Sequence, residues 1–296
     1  MARFRRGLPS RLAEIQLSGK TANQRPPQRT LNPPAATIEW PAPPATPQLA
    51  GDEIHVWATS LAVEPPILEK FAHSLAPDEK DRAKRFKFDL HRNRYIVGRG
   101  ALRTILAHYL ATDPGQLRFT YLENGKPALA EEFTSAGIHF NLAHTGDLAL
   151  IAVTGINLIG VDVEYVRPVK DVDHLVARFF SKREDELFQK VPTAEKPAAF
   201  FNLWTRKEAL LKATGEGITR SLSLVEVSFL PGEPARLLAI SGDTEAAEQW
   251  ALKEFTPAHG FVGAVAIQMR TSNIQHPTSN IQSGNSKLVV KCWKLS

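Results

Sequence analysis

The sequence predicts an α+β protein whose structured body divides into two similar-sized lobes, about 52–155 and 156–270. Three observations carry this. Apolar spacing switches repeatedly between the helical and the alternating period between residues 77 and 269, turn residues separate those runs, and both ends of the chain have compositions that cannot build a core. A chain of 296 residues is long enough for one large domain or two small ones with a buried interior, at roughly 100–200 residues per domain.

At the N-terminus, nine of the 21 prolines fall within residues 1–50, in pairs such as Pro26-Pro27, Pro33-Pro34 and Pro43-Pro44. Fixed φ and missing donors oppose helix and sheet alike, so 1–51 reads as a flexible leader. At the other end, Thr271-Ser-Asn-Ile-Gln275 recurs as Thr278-Ser-Asn-Ile-Gln282, and 271–296 reads as a polar tail with nothing to pack. These ends also hold the basic charge. Residues 1–50 carry seven basic and two acidic groups and the tail three lysines with no acid, while 51–270 carry 26 basic and 29 acidic groups. A body of net charge −3 gives no reason to expect a nucleic-acid partner. No apolar run reaches membrane-spanning length, and Pro9, Ser10, Arg11 and Glu14 interrupt the place of a signal-peptide core. The single Cys292 forms no internal disulfide or redox pair, so the expected setting is reducing and cytoplasmic.

In chain order, Pro77-Asp78-Glu79 opens a charged helix through Phe88. Residues 92–110 continue it, with Ile96, Val97, Leu102, Ile105, Leu106 and Tyr109 at helical spacing. Residues 117–123 read as a strand ending at the Asn124-Gly125 turn. Ile138, Phe140 and Leu142 alternate in a second strand, and His144-Thr145-Gly146-Asp147 turns into a third at 148–154. The second half begins with a strand over 158–165. Ser181 and Glu184 form a capping-box pattern, a long helix covers 198–214 with Gly215 at its C-cap, and strand-like runs follow at 222–230, 235–240 and 261–269.

The sharpest chemical signal is Gly160-Val161-Asp162-Val163-Glu164. Alternation sends both carboxylates to one face of a strand, where they repel unless a cation lies between them, and oxygen ligands of this kind suit Mg²⁺. An edge strand with a solvated outer face would show the same pattern, although the apolar Leu158, Ile159 and Val161 favour a central strand. A second signal is Trp204-Thr-Arg-Lys207-Glu208-Ala-Leu-Leu-Lys212, which places Trp204, Glu208 and Lys212 on one helical stripe; taken alone, it also describes a surface ion pair beside a packed Trp. A third is the basic run of Arg82, Lys84, Arg85, Lys87, Arg92, Arg94 and Arg99 against Asp89 alone, which fits either a solvated helix face or a phosphate or acidic-protein contact. Lys126 after the Asn124-Gly125 turn, and His144 with Thr145 in a turn between strands, read either as routine turn residues or as anion ligands on loops.

Taken in order, Arg85-Phe86, Arg94 with Gly98-Arg99, Asn124-Gly125-Lys126-Pro127, Phe140-Asn-Leu-Ala-His144-Thr145, Gly160-Val-Asp-Val-Glu164 and Trp204 to Lys212 resemble the successive motifs of the 4′-phosphopantetheinyl transferases of the Sfp type, over about 72–270. The resemblance implies a pseudo-twofold pair of α/β lobes in a monomer, with coenzyme A and Mg²⁺ in the cleft between them. It also implies transfer of phosphopantetheine to a serine of an apo acyl or peptidyl carrier protein of fatty-acid, polyketide or peptide synthases. By resemblance, Asp162, Glu164 and Glu208 hold Mg²⁺, Glu208 accepts the serine proton and Lys212 neutralises phosphate charge. Arg85, Arg94, Lys126, His144, Thr145 and Asp162 would grip the coenzyme, and Trp204 would support the helix. Two residues depart from the family pattern: Ala143 stands where Ser is usual before the histidine, and Thr145 where Ser often follows it. A non-catalytic module for acidic partners and a Mg²⁺-dependent nucleotide hydrolase are the rival readings; neither accounts for all six motifs.

Overall fold

The computed structural model describes residues 40–122, 125–215, 222–269 and 288–295. The first half opens with strand β1 (Glu53–Ser60), followed by helices α1 (Pro65–Ser74), α2 (Pro77–Lys84) and α3 (Asp89–Leu110). A small hairpin of β2 (Phe119–Tyr121) and β3 (Pro127–Leu129) precedes β4 (His139–Thr145) and β5 (Leu148–Thr154). The second half repeats this order: β6 (Ile159–Tyr165), α4 (Val172–Phe179), α5 (Lys182–Phe188), α6 (Lys196–Thr214), a hairpin of β7 (Val225–Val227) and β8 (Leu237–Ile240), the short α7 (Thr244–Glu248), β9 (Trp250–Phe255) and β10 (Phe261–Gln268). The sheets repeat as well, in the orders β1-β5-β4 and β6-β10-β9, all antiparallel.

Each long helix covers one face of its own sheet. Val97, Ala101, Leu102 and Ile105 of α3 pack with Trp57, Ala149, Ile151 and Val153. In the second lobe, Phe200, Leu203, Trp204 and Leu211 of α6 pack with Ala264 and Ala266. The opposite faces of the two sheets share a third core, in which Ile54, Val56, Leu148, Leu150 and Ala152 meet Val161, Val163, Val265 and Ile267. This common interior fixes one sheet on the other.

The charged helix expected to run on through Phe88 stops at Lys84. Arg85 is its C-cap, and extended backbone at Phe88 starts α3 afresh. The tail also differs from expectation. Strand β11 (Val289–Lys294) pairs in parallel with the free edge of β1, and Trp293 is buried against Trp57 and His55. Trp and β-branched residues in Val289-Val-Lys-Cys-Trp give this segment strand propensity that the polar repeat before it obscures. Of the expected leader, 1–39 lie outside the described residues. Trp40 packs edge-on against Phe255 of the second lobe, and the Pro41 carbonyl accepts from the Lys294 amide. Asn124 also lies outside the described residues, and Gly125 adopts φ +80° in the β2–β3 turn, a conformation that glycine takes at little cost.

Candidate active site

β6 turns Gly160, Asp162 and Glu164 toward α6. A Cβ on Gly160 would stand 2.0 Å from the Ala209 carbonyl oxygen and 2.4 Å from the Ala213 nitrogen, so glycine is what allows the helix backbone to lie directly on the strand. That contact brings Lys212 to Asp162, with Nζ donating to Oδ1 at 2.5 Å. Glu208, one turn earlier on α6, is buried, as are Asp162 and Glu164. Trp204 continues the stripe in the apolar core, stacked on Phe200 and edge-on to Phe180.

The first lobe reaches the same place through β4, which runs alongside β6. The Val161 amide donates to Asn141 Oδ1 at 3.0 Å, and Thr145 Oγ1 donates to Glu164 Oε2 at 3.2 Å. Side chains therefore bridge the two strands at these points. Arg167 Nη1 donates to the same Glu164 oxygen at 3.3 Å and to the Tyr165 carbonyl at 2.8 Å, with its guanidinium over the Phe201 ring. Burial, and after it the charge of Asp162, push the Glu164 carboxyl above the usual carboxylate range against the opposing pull of Arg167 and Thr145. The methyl of Ala143 is buried in the core shared by the sheets.

His144 points the other way from β4 and stays exposed, at the lip of the seam. Crowding by the surrounding protein, and then the charges of Lys212 and Arg94, lower its pKa, an effect that the ring's exposure to solvent moderates. Arg94 Nε donates to Asp147 Oδ1 at 2.8 Å, tying α3 to the β4–β5 turn that carries the histidine. The two cations nearest His144 are thus each paired with a carboxylate, Arg94 with Asp147 and Lys212 with Asp162.

Two sequence-derived candidates are placed differently. The Lys126 ammonium donates to the carbonyls of Ile159, Lys212 and Ala213 at 3.2, 2.6 and 3.3 Å, so it joins the β2–β3 hairpin to the negative end of α6. Burial lowers its pKa to about 8. Arg85 is exposed at the end of α2, and its side chain has no ion pair among the described residues. Conversely, Asn141 and Arg167 belong to the site although sequence reasoning did not single them out. An amide on the inward parity of an apolar strand was a usable signal for Asn141; nothing in the local pattern marked Arg167.

Carboxylate oxygens on one strand face are the donor set that Mg²⁺ prefers. Asp162 and Glu164 fit it chemically. Among the described residues no group of three or more His, Cys, Asp or Glu stands close enough to hold a metal ion.

Two family models match the chain: the N-terminal region of 4′-phosphopantetheinyl transferases over residues 64–155, and the 4′-phosphopantetheinyl transferase superfamily over residues 158–266. Between them lies the β5–β6 connection. The 4′-phosphopantetheinyl transferase HetI of Nostoc sp. is 43% identical over 228 residues, which are 77% of this chain and 93% of that relative. The 4′-phosphopantetheinyl transferase Sfp of Bacillus subtilis is 29% identical over 54% of this chain and 68% of its own. Among solved structures, Helicobacter pylori holo-[acyl-carrier-protein] synthase in complex with coenzyme A aligns over 37% of this chain and 98% of that one, at 21% identity and a TM-score of 0.27.

Proposed function

The chain belongs to the 4′-phosphopantetheinyl transferase superfamily and moves 4′-phosphopantetheine from coenzyme A to a carrier protein, and from that premise we propose how the seam between β4, β6 and α6 divides the work. The acceptor is a serine hydroxyl of an apo acyl or peptidyl carrier protein. Its oxygen forms a bond to the β-phosphorus of the coenzyme pyrophosphate while the bond to the bridging oxygen breaks, and adenosine 3′,5′-bisphosphate leaves. Such a displacement needs cations on the pyrophosphate, a base for the hydroxyl and in-line positioning.

Asp162 and Glu164, with Glu208 as third carboxylate, would hold Mg²⁺, which supplies positive charge to the pyrophosphate oxygens when bound. Glu208 takes the serine proton. Lys212 stabilises the charge that accumulates on the phosphates as the bond breaks, and its contact with Asp162 keeps its ammonium on the reacting side of α6. His144 and Arg94 bind the phosphates from the first lobe, and Arg85 reaches the 3′-phosphate from outside the seam. Thr145 acts on the coenzyme indirectly, by fixing Glu164, and Lys126 holds the end of α6 in place. Both lobes of one chain supply the seam, so the acting species is a monomer. Among the described residues no helix is long and apolar enough to cross a membrane, and a reducing, cytoplasmic setting suits the lone Cys292.

The single observation that carries this division is the meeting of Lys212 and Asp162 across α6 and β6, 2.5 Å apart. The test is to incubate the protein with coenzyme A, Mg²⁺ and an apo carrier protein and to weigh the carrier. A gain of one phosphopantetheine supports transfer. An unchanged carrier with hydrolysed coenzyme would support a hydrolase.

A further inference from the structure

Arg167 follows the end of β6, and three groups converge on its guanidinium. Nη1 donates to Glu164 Oε2 at 3.3 Å and to the Tyr165 carbonyl at 2.8 Å, and the guanidinium carbon lies 4.9 Å from the centroid of the Phe201 ring on α6. The backbone here is constrained as well. The Val166 amide donates to the Gly260 carbonyl at 2.8 Å, and Pro168 disfavours helical backbone at the residue before it. Carbonyl, ring and backbone together fix where the guanidinium stands. An ordinary surface ion pair leaves both partners in water and contributes little, whereas the side chains of Glu164 and Arg167 are only 6% and 28% exposed.

The first lobe holds the same carboxylate oxygen. Thr145, the last residue of β4, donates from Oγ1 to Glu164 Oε2 at 3.2 Å. Donors from both lobes thus occupy Oε2, and among the described residues none donates to Oε1. A carboxylate held in this way has one oxygen to offer. That restricts the cations it suits, because Mg²⁺ demands a small, near-ideal octahedral shell, while the larger Ca²⁺ readily takes both oxygens of one carboxylate in a looser shell.

Resting on the transferase reading, in which Glu164 is a ligand of Mg²⁺, we propose that Arg167 is a positioning residue that sets metal specificity: with Thr145 it holds Glu164 Oε2, so that the carboxylate meets a metal ion through Oε1 alone and the site prefers Mg²⁺ to Ca²⁺. Arginine suits this post because its planar head lies on an aromatic face while its N–H groups reach fixed acceptors, which the compact lysine ammonium does less well. Its positive charge opposes any divalent cation nearby, and does so about equally for the two ions. Charge therefore affects both affinities together, and the geometry at Oε2 decides the preference between them.

The test reads metal binding directly on the full chain. Binding of Mg²⁺ and of Ca²⁺ in the presence of saturating coenzyme A is measured by calorimetry for wild type, Arg167→Met, Arg167→Lys and Thr145→Val, with melting temperatures on the same preparations. Arg167→Met keeps an apolar cover on Phe201 and removes the donor. Its ratio of Mg²⁺ to Ca²⁺ affinity should shift toward Ca²⁺ by ~10-fold, the lower end for a lost outer partner of a metal ligand. Thr145→Val releases the same oxygen from the other lobe and should shift the ratio in the same direction; it carries the test if Arg167→Met fails to fold. Arg167→Lys keeps a donor and should restore most of the preference. A fall in melting temperature and in both affinities, with the ratio unchanged, would make Arg167 a structural strut and overturn the proposal. Transfer of phosphopantetheine by wild type to a recombinant apo acyl carrier protein is measured alongside. Transfer by wild type together with an unchanged ratio in the folded variants overturns the role of Arg167 and leaves the transferase reading intact. Absence of both transfer and Mg²⁺ binding in wild type overturns that reading and this proposal with it.

Discussion

Glu79 and Glu184 occupy the same place in the two halves of the molecule. Each is the third residue of a short helix, is buried, and accepts from the backbone amide just before that helix: Ala76 to Glu79 and Ser181 to Glu184, both at 3.0 Å. Each also receives a cation from the following long helix. Arg103 and Arg99 donate to Glu79 at 2.6 and 2.9 Å, and Lys207 donates to Glu184 at 2.5 Å. Those cations reach onward to the chain entering each lobe's hairpin, Arg103 to the carbonyls of Pro114 and Leu117 and Lys207 to those of Leu222 and Val225. One device, used twice, locks short helix, long helix and hairpin together. Lys207, inside the motif that also carries Glu208, is thus a structural lysine.

Removing one partner of so dry a pair leaves a charge that water cannot reach. Glu184→Gln should therefore destabilise the second lobe by about 3–5 kcal/mol, the usual cost of breaking a buried ion pair. Replacing both partners, as Glu184→Leu with Lys207→Met, should recover much of that loss. Urea melts of the two variants check it. A single variant as stable as wild type would mean that Lys207 meets its needs through the two carbonyls alone.

Gly160 gives a prediction that separates positioning from chemistry. An added methyl would meet the backbone of α6 at 2.0 Å, and backbone cannot rotate away as a side chain can. Gly160→Ala should lift the helix from β6 at a cost of about 3 kcal/mol, the upper range for overpacking a tight interior. It should also move Lys212 and Glu208 relative to Asp162. At a temperature where the variant stays folded, transfer should fall by at least ~100-fold, as expected when reacting groups shift by about an ångström. Melting curves and turnover on the same preparation distinguish a loss of alignment from a loss of folded protein.

The long elements were legible in the sequence because each carried one clear period. Residues 92–110 and 198–214 read as helices, and 148–154 and 158–165 as strands, within a few residues of α3, α6, β5 and β6. The carboxylate pair and the Glu208–Lys212 stripe were legible for the same reason, since strand and helix parity alone decide which side chains share a face. What stayed hidden depends on approach between distant segments. The carbonyls that seat Lys126 come from residues 33 to 87 positions away, and Arg167 gains its role only because Phe201 and Glu164 are folded beside it. β11 was obscured by composition: a polar repeat precedes it, and its pairing partner β1 lies at the opposite end of the chain.

The tail strand gives a prediction for acid. Lys291 first, then His55 and the Ala50 amide, hold the Glu53 carboxyl down to about 2 from its ordinary 4.5 against the opposing effect of burial. A depressed carboxyl stabilises the fold above its unfolded value and loses that contribution as pH falls toward the folded one. Wild type should therefore lose stability from about pH 4.5 down to pH 2 in part through Glu53, and Lys291→Met should flatten that limb. Trp293→Ala, which empties a site between Trp57 and His55, should cost about 3–5 kcal/mol at neutral pH. Melting temperatures across pH for both variants check it. A Trp293 variant as stable as wild type would show that β11 contributes little to the fold.

Glu208 allows ligand and base to be told apart. It is buried on α6 one turn before Lys212, on the helix that Gly160 holds against the carboxylate strand. As a metal ligand it needs an oxygen, which glutamine keeps; as a base it needs a carboxylate, which glutamine lacks. Glu208→Gln should retain binding of coenzyme A with Mg²⁺ by calorimetry while single-turnover transfer drops by about 10²–10⁴-fold, the range for lost general-base catalysis. Raising the pH should restore part of the rate if hydroxide substitutes for the missing base, whereas raising Mg²⁺ should not. If saturating Mg²⁺ instead returns the variant to wild-type transfer, Glu208 serves only to hold the metal. Glu164, the other carboxyl whose burial beside Asp162 raises its proton affinity, then becomes the group to test as base.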